Sequence, residues 1–96
     1  MAITVKIAAT TAADSGAGTE FITTAPFVLY GDDFGVDEHA ILTRLGPSGA
    51  HKPMTNKDGV IMVSAFPNTV LVDAFGTFRL IKTVTAVAAS VGYEEQ

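Results

Sequence analysis

An all-β fold, an antiparallel sandwich of about seven strands, is predicted by three features of this 96-residue chain. Short runs rich in Val, Ile, Thr and Phe recur at intervals of ~8–12 residues. Turn residues punctuate them: Gly31-Asp32-Asp33-Phe34-Gly35, Gly46-Pro47-Ser48-Gly49, Asn56-Lys57-Asp58-Gly59, Pro67-Asn68 and Gly76. No segment carries a convincing helical pattern. Thr83–Ser90 comes nearest with three alanines, yet Thr83, Val84, Thr85 and Val87 are β-branched and stiff at χ1, which favours strand.

The elements follow in order. Ile3–Ala9 forms the first strand, with Ile3, Val5 and Ile7 on one face and Thr4 and Lys6 on the other. Residues 12–18, rich in Ala, Ser and Gly, form a flexible loop, with Gly16-Ala17-Gly18 as a hinge. Glu20–Tyr30 is strand, interrupted at Ala25-Pro26. Proline cannot donate a ladder hydrogen bond, so it marks an edge, bulge or bend. Glu38–Leu45 and Ala50–Thr55 come next. Asp58-Gly59 then signals a tight turn, because glycine accepts positive φ without steric cost. Val60–Ala65, Thr69–Ala74 and Thr77–Lys82 are further strands. In the tail, a strand, an unmarked turn near Val84–Ala88 and a final strand are preferred over one long bent strand.

Length and composition bound the function. One domain over residues 1–96 is expected, with residues 1–18 either an arm or an edge strand carrying a flexible loop. Cysteine is absent, which removes disulfides, thiolate nucleophiles and Cys-ligated zinc. Six Lys and Arg, a formal net charge of −4 and no basic run argue against nucleic acid as a partner. Residues 1–13 alternate in polarity and make a poor signal peptide, and no apolar run approaches the ~20 residues of a membrane helix. Synthesis in a cytoplasm and no membrane partner are the expectations.

Charged residues are only 17 % of the chain and apolar ones 48 %. Soluble domains carry about 25 % charge. Part of the excess is explained by a surface of 14 Ala and 12 Thr. The remainder breaks the alternation of a two-layer sandwich. Val60-Ile61-Met62-Val63 and Val70-Leu71-Val72 are apolar on both faces, Leu80-Ile81 continues the trend, and Phe75 lies in or beside a turn. One face of the C-terminal strands is therefore expected to be buried against another subunit, with Ile61, Leu71, Phe75 and Ile81 as interface candidates.

Catalytic and metal chemistry find little support. His39 and His51 are twelve residues apart and lack ligand spacing, whereas a metal site needs three or four convergent ligands. Asp32, Asp33, Asp37 and Glu38 cluster without the rhythm of a calcium loop and suit a solvated acidic loop that guards an edge. A chain this small offers no cleft for paired carboxylates. Ser15, Ser48, Ser64 and Ser90 lie outside any Gly-x-Ser-x-Gly elbow. No catalytic residue, metal or cofactor is assigned, and the chain is expected not to be an enzyme.

Asp73-Ala74-Phe75-Gly76-Thr77-Phe78-Arg79-Leu80 has the shape of a sandwich corner: an acid, a glycine, then an aromatic that opens a strand. Immunoglobulin-like sandwiches place a tyrosine there, so an immunoglobulin-like arrangement is expected, with Phe78 lacking the corner hydroxyl. Asp73, Gly76 and Phe78 are corner and core residues on this reading. Phe78 and Leu80 point inward, and Arg79 and Ile81 outward.

Four features in order carry a resemblance: Phe27-Val28-Leu29-Tyr30-Gly31, Glu38–Leu45 with its Gly46-Pro47-Ser48-Gly49 turn, Asp58-Gly59 before Val60-Ile61-Met62-Val63, and Gly76-Thr77-Phe78-Arg79-Leu80-Ile81-Lys82. Residues 27–85 thereby resemble small β-sandwich virion accessory proteins of tailed bacteriophages. The resemblance implies a capsid decoration or cement subunit, or a tail or portal accessory, located in the virion. Its partners would be other virion structural proteins and further copies of itself. The alternative is a carbohydrate- or cell-surface-binding sandwich. Its aromatic supply is poor: no Trp, Tyr30 and Tyr93, and Phe34 and Phe75 as the loop aromatics.

Overall fold

The structure, a computed structural model, describes residues 3–96. Its strands are β1 (Thr4–Thr10), β2 (Phe21–Thr23), β3 (Phe27–Asp32), β4 (His39–Leu45), β5 (His51–Pro53), β6 (Thr55–Asn56), β7 (Gly59–Val60), β8 (Met62–Ser64), β9 (Thr69–Val72), β10 (Gly76–Lys82) and β11 (Ala89–Glu95). All pairings between strands are antiparallel. The first sheet runs β1-β11-β3-β9 and the second β2-β10-β4-β5, with β8 also on β4.

The antiparallel sandwich is as expected; its connectivity differs from the immunoglobulin-like pattern. There the first two strands share a sheet. Here β1, β3, β9 and β11 lie in one sheet and β2, β4 and β10 in the other, so the chain changes sheet at almost every connection. This order is that of a jelly roll, two interlocked Greek keys. Pro26 sits at one crossing, between β2 and β3, which explains the interruption seen in the sequence. The Asp73–Phe75 corner is another, from β9 to β10, and Gly76 after it takes a φ of 139°.

Core residues come from alternate positions, as strand geometry requires. Phe27, Leu29, Val72 and Val91 of the first sheet face Phe78, Leu80, Leu42, Ala40 and Val63 of the second. Phe21, Phe27, Phe78 and Tyr93 form an aromatic cluster: Phe21 stacks on Tyr93 at 4.4 Å, and Phe27 meets Phe78 edge-on at 5.0 Å. The sheets approach closely at Gly31. A Cβ there would lie 2.8 Å from Val63 Cγ2 and 3.0 Å from Phe34 Cε2. Gly31→Ala is therefore expected to destabilise the fold by ~1–3 kcal/mol through overpacking. An unchanged urea midpoint would contradict that closeness.

Ile3, Val5 and Ile7 do not share a face. Val5 pairs with Gly92 but Ile7 pairs with Val91, so β1 carries an extra residue at this point and bulges. The bulge turns Ile7 into the core and leaves Ile3 and Val5 on the outside. A three-residue 3-10 turn, Ala17–Thr19, precedes β2. Thr19 pins it to β10: its buried hydroxyl accepts from Leu80 N at 3.0 Å and donates to Gly16 O at 2.8 Å.

The far edge of β4 is shared. β5 pairs with Thr43–Leu45 and β8 with His39–Ile41, and the β6–β7 hairpin buds out between them. Three backbone bonds seal its base: Met54 N to Leu42 O, Ile61 N to Met54 O, and Leu42 N to Ile61 O. The turn residues are Lys57 and Asp58, one position earlier than the Asp58-Gly59 signal placed them, and Gly59 follows at a φ of 113°. Lys82 ends β10, residues 83–88 turn and β11 follows, so the tail from Thr83 is a turn and one strand, neither one long bent strand nor two strands.

Candidate functional site

Among the described residues, exposed apolar side chains stand on the outer face of the second sheet, at Ile22, Leu45 and Ile81, and on two further surfaces. Of those two, the first is the outer face of the β1-β11-β3-β9 sheet. Cross-strand register lines up Val5, Gly92, Tyr30 and Thr69 in one row, and Glu94, Val28 and Leu71 in the next. Ile3 lies over Gly92, where a Cβ would come within 2.8 Å of its Cγ2. Glycine at 92 thus makes room for Ile3 on the sheet. Ile3, Val5 and Leu71 are exposed, and Val28 and Tyr30 half-buried. The Tyr30 hydroxyl donates to Glu94 Oε1 at 3.4 Å.

The second surface is one end of the sandwich, built from the loops 11–20, 33–38, 65–68 and 83–88. Phe66, 95 % exposed, stands there with Val36, Val84 and Val87. Val36 and Phe66 flank an open depression of about 320 Å3, which His39, Met62 and Ser64 also line. Polar anchors hold these loops. Glu38 accepts from Gly35 N at 2.6 Å and from Ala86 N at 2.9 Å, tying two loops together. Lys82, only 2 % exposed, donates from Nζ to Ala12 O at 2.9 Å, Thr83 O at 3.1 Å and Thr85 Oγ1 at 3.4 Å. Thr85 N also bonds to Thr11 O.

The two N–H groups, Gly35 first and Ala86 second, hold the Glu38 carboxyl below its ordinary value of 4.5 against partial burial, with a smaller pull from the Lys82 ammonium. A lowered folded-state value favours the ionised form in the fold. Glu38 therefore contributes stability above the ordinary glutamate range and loses it as pH falls through the lowered value. Glu38→Gln is expected to flatten the acid limb of a stability–pH curve taken between about pH 3 and 6. Superimposable limbs for the two proteins would refute the assignment.

The sequence-predicted interface residues do not form one face. Ile61 is 4 % exposed and belongs to the core, between β7 and β8, so it cannot meet a neighbour. Leu71 is 61 % exposed on the outer face of the first sheet. Ile81 is exposed on the outer face of the other sheet, because β9 and β10 lie in different layers. Phe75 is exposed at the corner between them. Phe78 and Leu80 are buried, with Arg79 and Ile81 outward, and Asp73 is exposed at the corner. Phe34, 7 % exposed, packs into the core and is not available for stacking.

Chemistry is sparse in this arrangement. Ser64 lies across from His39 in the β4–β8 register, a proximity the spacing hid. No hydrogen bond joins them; the Ser64 hydroxyl turns to Pro67 O at 3.4 Å. His51 Nε2 sits 3.4 Å from Glu20 Oε1, which also accepts from Arg79 Nε at 3.0 Å, forming a polar strap over the second sheet. Among the described residues no three of His, Cys, Asp and Glu converge as metal ligands. Two residues escaped the sequence reading. Lys82 follows the inward parity of Phe78 and Leu80, a signal that could have found it. Phe66 had only its place beside Pro67. No protein-family model, no curated protein and no solved structure matches the chain.

Proposed function

We propose that this chain is a non-enzymatic structural subunit of a virion, a capsid decoration or cement protein or a tail or portal accessory, and that it assembles through an apolar strand face. The observation that supports it best is the outer face of the first sheet, where Ile3, Val5, Val28, Tyr30 and Leu71 adjoin with Glu94 as the one acidic side chain in the two aligned rows. Burying ~500 Å2 of apolar surface there favours contact by ~12 kcal/mol at ~25 cal/mol/Å2. Lost rigid-body freedom costs ~4–15 kcal/mol, so each contact is weak alone and strong when repeated on a lattice. The ordered motifs of residues 27–85 supply the virion part of the reading. Jelly-roll sandwiches serve both capsids and lectins, so the architecture does not choose between them. The sugar-binding alternative loses Phe34, which is buried, and retains Phe75 and the exposed loop ring of Phe66.

The test is mass spectrometry of purified particles encoded by the genome that carries this chain. The chain is expected in stoichiometric amounts, and Val5→Lys is expected to reduce its incorporation while leaving its thermal unfolding unchanged. Absence of the chain from such particles would overturn the proposal.

A further inference from the structure

Sheet edges are templates for further strands, and proteins blunt them with bulges, charge, proline or brevity. Three of the four edges here are blunted. β1 bulges twice and carries Lys6. β2 has three residues and runs into Pro26. The β5 and β8 edge is two three-residue pieces, one containing Lys52 and Pro53, with a hairpin between them. The fourth edge, β9, is also short, at four residues between Pro67 and Asp73, but has no bulge, charge or proline within it. Thr69-Val70-Leu71-Val72 is uncharged, free of proline, and keeps unbroken register with β3.

The hydrogen-bond alternation shows which groups this edge offers. Gly31 N bonds to Asn68 O at 2.8 Å, so the residue pairs two and four positions on, Leu29 with Val70 and Phe27 with Val72, are the bonded ones. Thr69 and Leu71 therefore turn their N–H and C=O groups away from β3. On the inner side the edge borders an open groove of about 310 Å3, lined by Val60, Met62, Pro67 and Val70 and, from the hairpin, by Asn56 and Asp58.

We infer that β9 pairs with β9 of a second copy of this chain, antiparallel about a two-fold axis at Val70, joining two four-stranded sheets into one of eight. It rests on the reading of the chain as an assembling subunit. In this register Thr69 exchanges both backbone bonds with Leu71 of the second copy, and Leu71 with its Thr69. The occupant is a second copy for two reasons. The edge accepts an extended strand with two outward residues, and among the described strands β9 is the one edge with no bulge, charge or proline within it. The pattern is also self-complementary: a two-fold contact uses the same patch twice, and an uncharged strand lets two chains of net charge −4 meet without like charges opposed. Each groove then gains the Val70 of the other copy. Four residues a side make a small contact, so the dimer is concentration-dependent.

The experiment is sedimentation velocity with backbone amide exchange by NMR across a concentration series of the full chain. Self-association is expected, with the Thr69 and Leu71 amides gaining protection as concentration rises while those of Val70 and Val72 are protected throughout. Leu71→Pro removes an outward N–H and no β3 bond, and is expected to weaken association by about tenfold. If that variant fails to fold, the wild-type amide pattern decides. A monomer at all concentrations, or a dimer whose Thr69 and Leu71 amides exchange freely, would overturn edge pairing. Neither result touches incorporation into particles; conversely, a chain that dimerises in this way yet is absent from particles would sink the virion reading alone.

Discussion

Phe78→Ala is expected to cost ~3–5 kcal/mol, the range for truncating a large core aromatic. Phe78 is fully buried and holds the aromatic cluster from the second sheet, meeting Phe27 at 5.0 Å and Phe21 at 5.5 Å. Phe27 belongs to the opposite sheet, so the ring is a direct tie between layers. A domain of this size has a total stability of ~5–15 kcal/mol. The melting temperature should fall by ~4–8 °C for each kcal/mol lost. Chemical denaturation of the two proteins checks it, and a loss under ~1 kcal/mol would mean that the cluster is not packed as described. Phe78→Tyr is a sharper companion. Phe78 is fully buried against Phe21 and Phe27, so a tyrosine hydroxyl there is expected to be buried at a cost, despite tyrosine being the residue that sandwich corners favour.

Lys82 gives the second large effect. Its ammonium lies inside the protein with three oxygen partners, and among the described residues no carboxylate forms a salt bridge with it. Those oxygens belong to the loops that precede β2 and β11, so one cation closes the end of the sandwich. Lys82→Ala removes the donors and the buried stem, and ~3 kcal/mol of stability is expected to go with them. Lys82→Met keeps the stem and isolates the hydrogen bonds, so it should fall between wild type and alanine. Hydrogen exchange should show the loss first at residues 83–88. A methionine variant at least as stable as wild type would show that desolvation of the ammonium outweighs its three bonds.

Strand parity was legible wherever a strand is regular. Phe27 and Leu29 inward, Phe78 and Leu80 inward, and Ile81 outward all follow from alternation. The break at Pro26 and the turn before Ala89 were also visible, because each has a local cause. What stayed hidden is non-local. Nothing in the order of apolar residues says that β9 and β10 belong to different sheets, so Leu71 and Ile81 looked like one face and are two. The bulge at Val5–Ile7 inverted a pattern that alternates cleanly in one dimension. Ile61 lies where a hairpin rejoins its parent strand, and its burial depends on the three sealing backbone bonds rather than on its neighbours in sequence. Among the described surface residues, Leu71 alone of the proposed contacts was named beforehand on the outer face of the first sheet. Ile3 and Val5 were grouped with Ile7 on one face, and Ile7 is the one of the three that is buried.

The β6–β7 hairpin has a practical consequence. Because its base is stitched to β4 independently of its tip, Lys57 and Asp58 carry no part of the core. An epitope tag or a dye introduced between them should ride on the folded molecule as a flag on a pole, a tolerance typical of polar exposed loop tips. That position makes the chain a convenient carrier for displaying foreign peptides.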